Sequence, residues 1–308
     1  AVTIISAMSM LGSLLGHSFG WSRMDSLFLG GMLAMSSTTI IYKAFDDLGL
    51  RSQKFATNVL SVLVLEDILG ILLMVILSTL AVSKDFDGMT VVDSLMRLLF
   101  YLALLFLVGV FIVPLILRKN RKWIGKETLL VVSVGFCFAM VVLAVKLGYS
   151  AAFGAFMMGS IFAETVEAET IEKLVSPVKD LFGAVFFVSV GMLVDPAILT
   201  QYWLPVMLIT LTILIGQAVF GSFGFILSGQ SLKGAMQSGF SMAQIGEFAF
   251  IIASLGMSLH VISGFIYPIV VAVSVITTFL TPYMIKSAPA AYGLVKKITP
   301  ANIMVVLD

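Results

Sequence analysis

The sequence predicts an all-α polytopic membrane protein. Of its 308 residues, 60% are hydrophobic and only 11% are charged, and the mean hydropathy is +1.11. A soluble domain of this length cannot bury so much apolar surface, whereas a bilayer accepts it on helices of about 20 residues. The net charge of +1 provides no basic surface for nucleic acid, and the single cysteine excludes a disulfide within the chain.

Ten membrane-spanning helices are predicted, each from an apolar stretch bounded by charged or turn-forming residues. We expect residues 1–285 to form the membrane domain and residues 286–308 a cytoplasmic tail. The apolar run at 302–308 is expected to begin a soluble regulatory domain. The ten helices run near residues 2–18, 26–45, 55–81, 92–117, 127–147, 150–165, 178–195, 199–227, 232–257 and 262–285.

The distribution of lysine and arginine predicts the orientation. With ten crossings, all of the 18 basic residues except Arg23, Lys84, Arg97 and Lys146 fall on the side of the N-terminus. Cytoplasmic loops of membrane proteins are enriched in these residues. The N-terminus of this chain and its C-terminal tail are therefore predicted to be cytoplasmic, in a multi-pass protein of the cell (inner) membrane.

Polar residues interrupt two of the predicted helices. The interruptions comprise Ser36–Thr39 in the second helix, and Ser241, Gln244, Gly246 and Glu247 in the ninth. Broken helices at matching positions of two halves are typical of transporters built from inverted repeats. If the fourth helix is a linker, the first repeat has three helices and the second six, so three helices are expected before Ala1.

An acid pair, Glu66 and Asp67, lies near the middle of the apolar stretch 55–81. A carboxylate at the bilayer centre costs about 2.5–3.5 kcal/mol on insertion scales, and such residues usually mark ion or proton pathways. The pair predicts a site for a monovalent cation or a proton at Asp67. Because neighbouring helical residues point about 100° apart, both acids cannot face one ion. The alternative is a buried carboxylate held by hydrogen bonds.

Further oxygen ligands are predicted at the interruptions. Ser37, Thr38 and Thr39 offer hydroxyls at membrane depth, although such hydroxyls also bond to their own helix or to a neighbouring one. Glu247 is either an ion ligand or a partner for the backbone amides exposed by the second break. Gln217, in the eighth helix, is an amide that we expect to face the protein interior.

Four motifs, in order and spacing, resemble those of the monovalent cation–proton antiporter superfamily, in particular its Kef-type potassium–proton and sodium–proton branch. The resemblance covers residues 1–285. It implies a thirteen-helix inverted-repeat fold, usually a homodimer, with a mobile core domain (helices about 1–81 and 199–285) and a scaffold and dimerisation domain (about 92–195). The motifs are MLAMSSTTIIYKAFDDLGL, VLSVLVLEDILGILL, LFGAVFFVSVGMLVD and SMAQIGEFAFIIASLG.

The resemblance also implies roles for single residues. Thr38 and Thr39 fall in the family's unwound helix, and Asp67 falls on its ion- and proton-binding aspartate. The second broken helix of the family corresponds to Gln244, Gly246 and Glu247.

Two residues depart from the family pattern. Glu66 stands where the family often has Gln, Asn or Asp, and Gln217 stands where many relatives carry a basic residue. No cofactor is expected in the membrane domain. Some relatives bind a nucleotide in a soluble domain after the last helix.

The predicted function is secondary active exchange of K⁺ or Na⁺ for protons by alternating access, with Asp67, assisted by Glu66, binding either species. A cation channel is the alternative, although the broken helices favour a transporter. An intramembrane protease would need two acids from different helices, such as Asp67 and Glu247, or a His-Glu-x-x-His motif, which is absent. We therefore do not expect an enzyme. Sodium and potassium both take oxygen ligands, so the sequence leaves that choice open.

Overall fold

The computed structural model describes residues 1–82, 125–147, 151–192 and 196–298, together with single positions and one short run between 89 and 119. The predicted fourth helix, 92–117, therefore lies largely outside the described residues, as does the run 302–308. The helices are α1 (Val2–Ser18), α2 (Arg23–Leu33), α3 (Thr38–Asp47), α4 (Lys54–Val82), α5 (Lys126–Lys146), α6 (Ala151–Ala163), α7 (Ala168–Met192), α8 (Pro196–Gln201), α9 (Trp203–Leu227), α10 (Leu232–Ser241), α11 (Glu247–Ser258) and α12 (Ile266–Ile298).

The prediction of an all-helical, polytopic membrane protein is confirmed. Among the described residues, five helical stretches are long and apolar enough to cross a membrane. The number of ten helices and the inverted repeat stay predictions. The five stretches are Arg23–Asp47, which contains both α2 and α3, Lys54–Ala81, Lys126–Lys146, Trp203–Leu227 and Ile266–Ile298.

The chain forms two compact units. The first comprises Ala1–Val82 and Leu193–Asp308, and the second comprises Ser83–Met192. The first unit contains α1–α4 and α8–α12, and the second contains α5–α7. Both predicted helix interruptions lie in the first unit.

Both interruptions exist, but the first differs in position from the prediction. Its irregular segment is Ala34–Ser37, between α2 and α3, and Thr38 and Thr39 form the first turn of α3. The second interruption is Met242–Gly246, between α10 and α11. Ser37 explains the shift, because its hydroxyl caps α3 by accepting a hydrogen bond from the Ile40 amide at 3.2 Å.

Three predicted helix bounds are wrong. The predicted seventh helix is 178–195, but α7 begins at Ala168. The charged residues before 178 are helical, and an ion pair between Lys173 and Glu169 at 2.6 Å supports their first turns. The eighth, 199–227, is two helices, α8 and α9. The last helix continues past 285 to Ile298 despite Pro282 and Pro289, so the predicted tail begins as helix.

Glycine pairs bring helices of the first unit close together. A Cβ added at Gly12 in α1 would lie 2.8 Å from the Gly30 Cα in α2, and one at Gly221 in α9 would lie 2.8 Å from the Gly239 Cα in α10. Small residues at helix contacts let backbones approach closely within a membrane. The helix before each interruption is therefore packed tightly against a continuous neighbour.

A left-handed residue follows four helices of the first unit. Gly20, Gly49 and Gly229 have φ of 75°, 66° and 81°, and His260 has φ of 56°. In each case the next residue's amide bonds to a carbonyl five residues earlier, as Val261 does to Gly256 at 3.1 Å. These bonds are those of the Schellman motif, which usually places glycine at this position because a Cβ is strained there.

Replacing His260 by glycine should therefore stabilise the protein by about 1 kcal/mol. The measurement is the unfolding temperature in detergent. The control is His17→Gly, since His17 lies in the last turn of α1, where glycine costs about 0.5–1 kcal/mol. An equal fall in unfolding temperature for both variants would contradict the strain argument.

Candidate ion site at two crossed helix breaks

The two interrupted segments cross and hydrogen-bond to each other. The Gly246 amide donates to the Met35 carbonyl at 2.8 Å. The Ser36 hydroxyl donates to the Met242 carbonyl at 3.2 Å, and the Gln244 side-chain amide donates to the Ser37 carbonyl at 3.1 Å. Backbone groups released by a helix break are costly when they are buried away from water. Here each break satisfies polar groups of the other.

Gly246 makes this crossing possible. A Cβ at this position would fall against the Ser36 carbonyl and lie 2.8 Å from the Ser37 nitrogen. Both contacts are with backbone, which cannot rotate away as a flexible side chain can. Only glycine therefore fits where the two interrupted segments meet.

Two neighbouring helices support the crossing. Gln217 of α9 is fully buried and donates to the Leu33 carbonyl at the end of α2, at 3.2 Å. Thr277 of α12 accepts a hydrogen bond from the Ile245 amide at 3.3 Å. Gln217 and Thr277 thus satisfy break groups that the crossing itself leaves unpaired.

The two threonines of α3 each meet a carboxylate. The Thr38 hydroxyl donates to Asp67 Oδ2 at 3.3 Å, and the Thr39 hydroxyl donates to Glu247 Oε1 at 3.5 Å. The Asp67 and Glu247 carboxylates also interact electrostatically with each other. Thr38, Asp67 and Glu247 are partly exposed and Thr39 is exposed. Side chains from α3, α4 and α11 therefore converge at an accessible position.

Helix dipoles support negative charge at this place. Both α3 and α11 begin at the crossing, and the first turn of a helix carries a partial positive charge. Glu247 is the first residue of α11, and among the described residues it makes no hydrogen bond to the amides of its own helix. Its second oxygen, Oε2, is buried without a partner there. The carboxylate therefore faces the threonine cluster rather than capping its helix.

Glu66 lies apart from this cluster. Its side chain is 1% exposed, whereas Asp67 is partly exposed. Ser36 lies near it, but neither carboxylate oxygen has a hydrogen-bond partner among the described residues. The two adjacent acids thus point into different environments, and the structure joins Asp67, not Glu66, to the threonines.

Sequence reasoning missed a second buried acid, Asp25, outside the site. It is 2% exposed and accepts hydrogen bonds from the Ser263 amide at 2.7 Å and the Ser263 hydroxyl at 2.9 Å. Its amide donates to the N-cap residue Ser22 at 3.1 Å. The Ser22 to Asp25 spacing is a helix-start signal, but nothing local indicated the partner, which lies 238 residues away.

The sequence matches a known protein family over most of its length. The transmembrane sodium/hydrogen exchanger family model matches residues 1–288. The chain belongs to this family. Among curated relatives, the putative cation/proton antiporter YbaL of Escherichia coli (strain K12) is 30% identical over 295 residues, covering 92% of this chain and 52% of YbaL.

Two other relatives are matched over more of their own length. The K(+)/H(+) antiporter subunit KhtU of Bacillus subtilis (strain 168) is 30% identical over 94% of this chain and 71% of KhtU. A Na(+)/H(+) antiporter of Enterococcus hirae is 27% identical over 89% of this chain and 72% of its own. The predicted membership of the cation–proton antiporters, close to the Kef-type branch, is confirmed, although the chain spans only about half of YbaL.

Gly246→Ala should destabilise the protein by about 1–3 kcal/mol, because the added methyl group must displace the backbone of the first break. The measurement is the unfolding temperature in detergent. The control is Gly293→Ala in α12, where a Cβ would meet nothing within 4 Å and alanine favours the helix. Unchanged stability of Gly246→Ala would show that the two breaks do not meet as described.

Proposed function

We propose that this chain exchanges a monovalent cation, K⁺ or Na⁺, for protons by alternating access. The observation that carries the proposal is the pair of threonine–carboxylate contacts, Thr38 with Asp67 and Thr39 with Glu247, at the crossed breaks. Two relatives named as exchangers of potassium or sodium for protons support the same activity.

The cation binds at Asp67. The Asp67 carboxylate supplies charge, and the Thr38 hydroxyl supplies a neutral oxygen of the kind that replaces an alkali cation's water. A bound cation and a bound proton each neutralise the carboxylate, so the two compete for it. Competition at one site, opened to each side of the membrane in turn, is sufficient to couple the two fluxes.

Glu247 is the second carboxylate of the site. It contacts Thr39, next to the threonine that contacts Asp67. Glu66 is enclosed, and within the described part of the chain it makes no hydrogen bond to either threonine. The geometry therefore favours Glu247 over Glu66 as the group that assists Asp67.

The proposed architecture is the thirteen-helix inverted repeat, as a homodimer in the cell membrane, with Ala1 and the C-terminal tail of this chain on the cytoplasmic side. The first unit is the core that carries the ion, and the second is the scaffold and dimerisation domain. The division of the chain at Val82 and Leu193 supports this assignment.

Asp67→Asn should abolish cation-driven proton release, because the amide can neither bind a proton nor offer a charge to the cation. The measurement uses everted vesicles with a pH-sensitive dye after addition of K⁺ or Na⁺. Glu66→Gln is the matched control on the adjacent residue, and we expect it to retain exchange.

The opposite pattern, with Asp67→Asn active and Glu66→Gln inactive, would overturn the assignment. A cation conductance in planar bilayers that persists without a proton gradient and without proton counterflow would instead favour the channel. Currents on a solid-supported membrane across Li⁺, Na⁺ and K⁺ report selectivity and net charge movement together.

Thr39→Val and Glu247→Gln should each weaken the apparent cation affinity about tenfold, which corresponds to the loss of one charge-assisted contact. Since the two side chains act through one contact, the double variant should lose little more than either single variant. The measurement is the cation concentration that gives half-maximal exchange.

Thr57→Val, an exposed threonine of α4 outside the site, is the matched control and should leave the affinity unchanged. Fully additive losses in the double variant would show that Thr39 and Glu247 do not act together.

A further inference from the structure

The second unit contains a partly open cavity that the proposed exchange does not use. Its volume is about 660 Å³, and residues of α5, α6 and α7 line it. Ligand pockets commonly have volumes of about 300–1,000 Å³, and an engineered apolar cavity of about 150 Å³ already binds benzene. The cavity is therefore large enough for part of an amphiphilic molecule.

The packing of α6 explains why the cavity exists. A Cβ at Gly154 would lie 2.7 Å from the Val141 Cα, so α5 and α6 touch closely there. Further along α6, a Cβ at Gly159 would meet nothing within 4 Å. The helices contact at one glycine and leave open space at the next, and that space is the cavity.

The cavity has an apolar floor and one charged residue. Met158, Phe162 and Ile171 are buried and line it, while Phe138 and Glu172 line it and are exposed. With Gly159 and Ala163, which are also exposed, these residues mark its open side. The Ser133 hydroxyl, also in the lining, donates to the Leu129 carbonyl at 2.7 Å and so adds no free donor.

One charged residue, Glu172, lines the cavity. Glu172 is within the second turn of α7, which begins at Ala168, about 6 Å from the helix start. Cys137 lines the cavity about 16 Å from the start of α5 at Lys126. The Phe136–Phe162 ring contact, at 6.3 Å, brings the end of α6 beside the middle of α5. The cavity thus has one exposed carboxylate in its lining and an apolar interior.

Glu172 is available to a ligand. The neighbouring Lys173 is paired with Glu169 at 2.6 Å, and Glu172 makes no ion pair within the described part of the chain. Glu164, exposed just after the end of α6, adds negative charge. An anionic headgroup would be repelled here, whereas a primary ammonium would gain a charge-assisted hydrogen bond.

We propose that this cavity binds one acyl chain of an aminophospholipid, with the ammonium of its ethanolamine headgroup at Glu172. An acyl chain matches the apolar interior, where burying each CH₂ group is favourable, and the ammonium matches the exposed carboxylate of Glu172. A purely apolar ligand would leave Glu172 unused, and an anionic lipid would oppose it.

Native mass spectrometry of the purified, delipidated protein tests the proposal, with phosphatidylethanolamine and phosphatidylglycerol of identical acyl chains added in equal amounts. Wild type should retain phosphatidylethanolamine about tenfold over phosphatidylglycerol, the gain expected from one charge-assisted bond. Glu172→Gln should reduce that preference to near unity. Equal retention of the two lipids by wild type would overturn the proposal.

Filling the cavity gives a second test. Gly159→Trp should abolish the lipid adduct, whereas Gly135→Trp should keep it, since a Cβ at Gly135 also meets nothing within 4 Å but the residue does not line the cavity. If the delipidated wild type is a dimer and Gly159→Trp dissociates it, a second copy of the chain occupies the cavity. That result would overturn the proposal.

Cys137 allows the test without a substitution, in case a tryptophan variant fails to fold. It is the single cysteine of the sequence and lines the cavity. Phosphatidylethanolamine should slow its labelling by a small maleimide about tenfold more than phosphatidylglycerol does. Labelling that neither lipid slows, or that both slow equally, would overturn the proposal.

Discussion

The first unit depends on two interrupted helices satisfying each other's backbone. In a membrane, an unpaired amide or carbonyl finds no water to bond, so irregular backbone survives only where the protein supplies partners. Here the partners come from the opposite break, at Met35, Ser36, Met242 and Gly246. Neither break could be removed or displaced alone without leaving buried polar groups unpaired. The glycine at the contact is the steric condition for this arrangement.

The carboxylate cluster follows from the same crossing. Since α3 and α11 both begin there, two helix N-termini and the hydroxyls of α3 meet at one place. Asp67 reaches this place from the continuous helix α4. The polar groups that end the interrupted helices therefore also surround the acids, so no open loop is needed to bring polar groups to this place.

Part of this organisation was predictable from the residues, and part was not. Polar interruptions in apolar stretches indicated both breaks, and motif order indicated the family. The partner of each break was not predictable, since Gln244 and Ser37 are 207 residues apart and no local pattern encodes such a pairing. Nor could the sequence say which of Glu66 and Asp67 faces the protein core, because α4 is apolar on all sides. The charged start of α7 and the segment after residue 285 were predicted to lie outside the helices, but both are helical.

The two threonines of α3 are consecutive, yet they contact carboxylates on different helices, Asp67 on α4 and Glu247 on α11. Adjacent helical residues are separated by about 100° around the axis, so α3 has one rotational setting in which both contacts form. The two contacts together therefore restrict the rotation of that short helix about its axis.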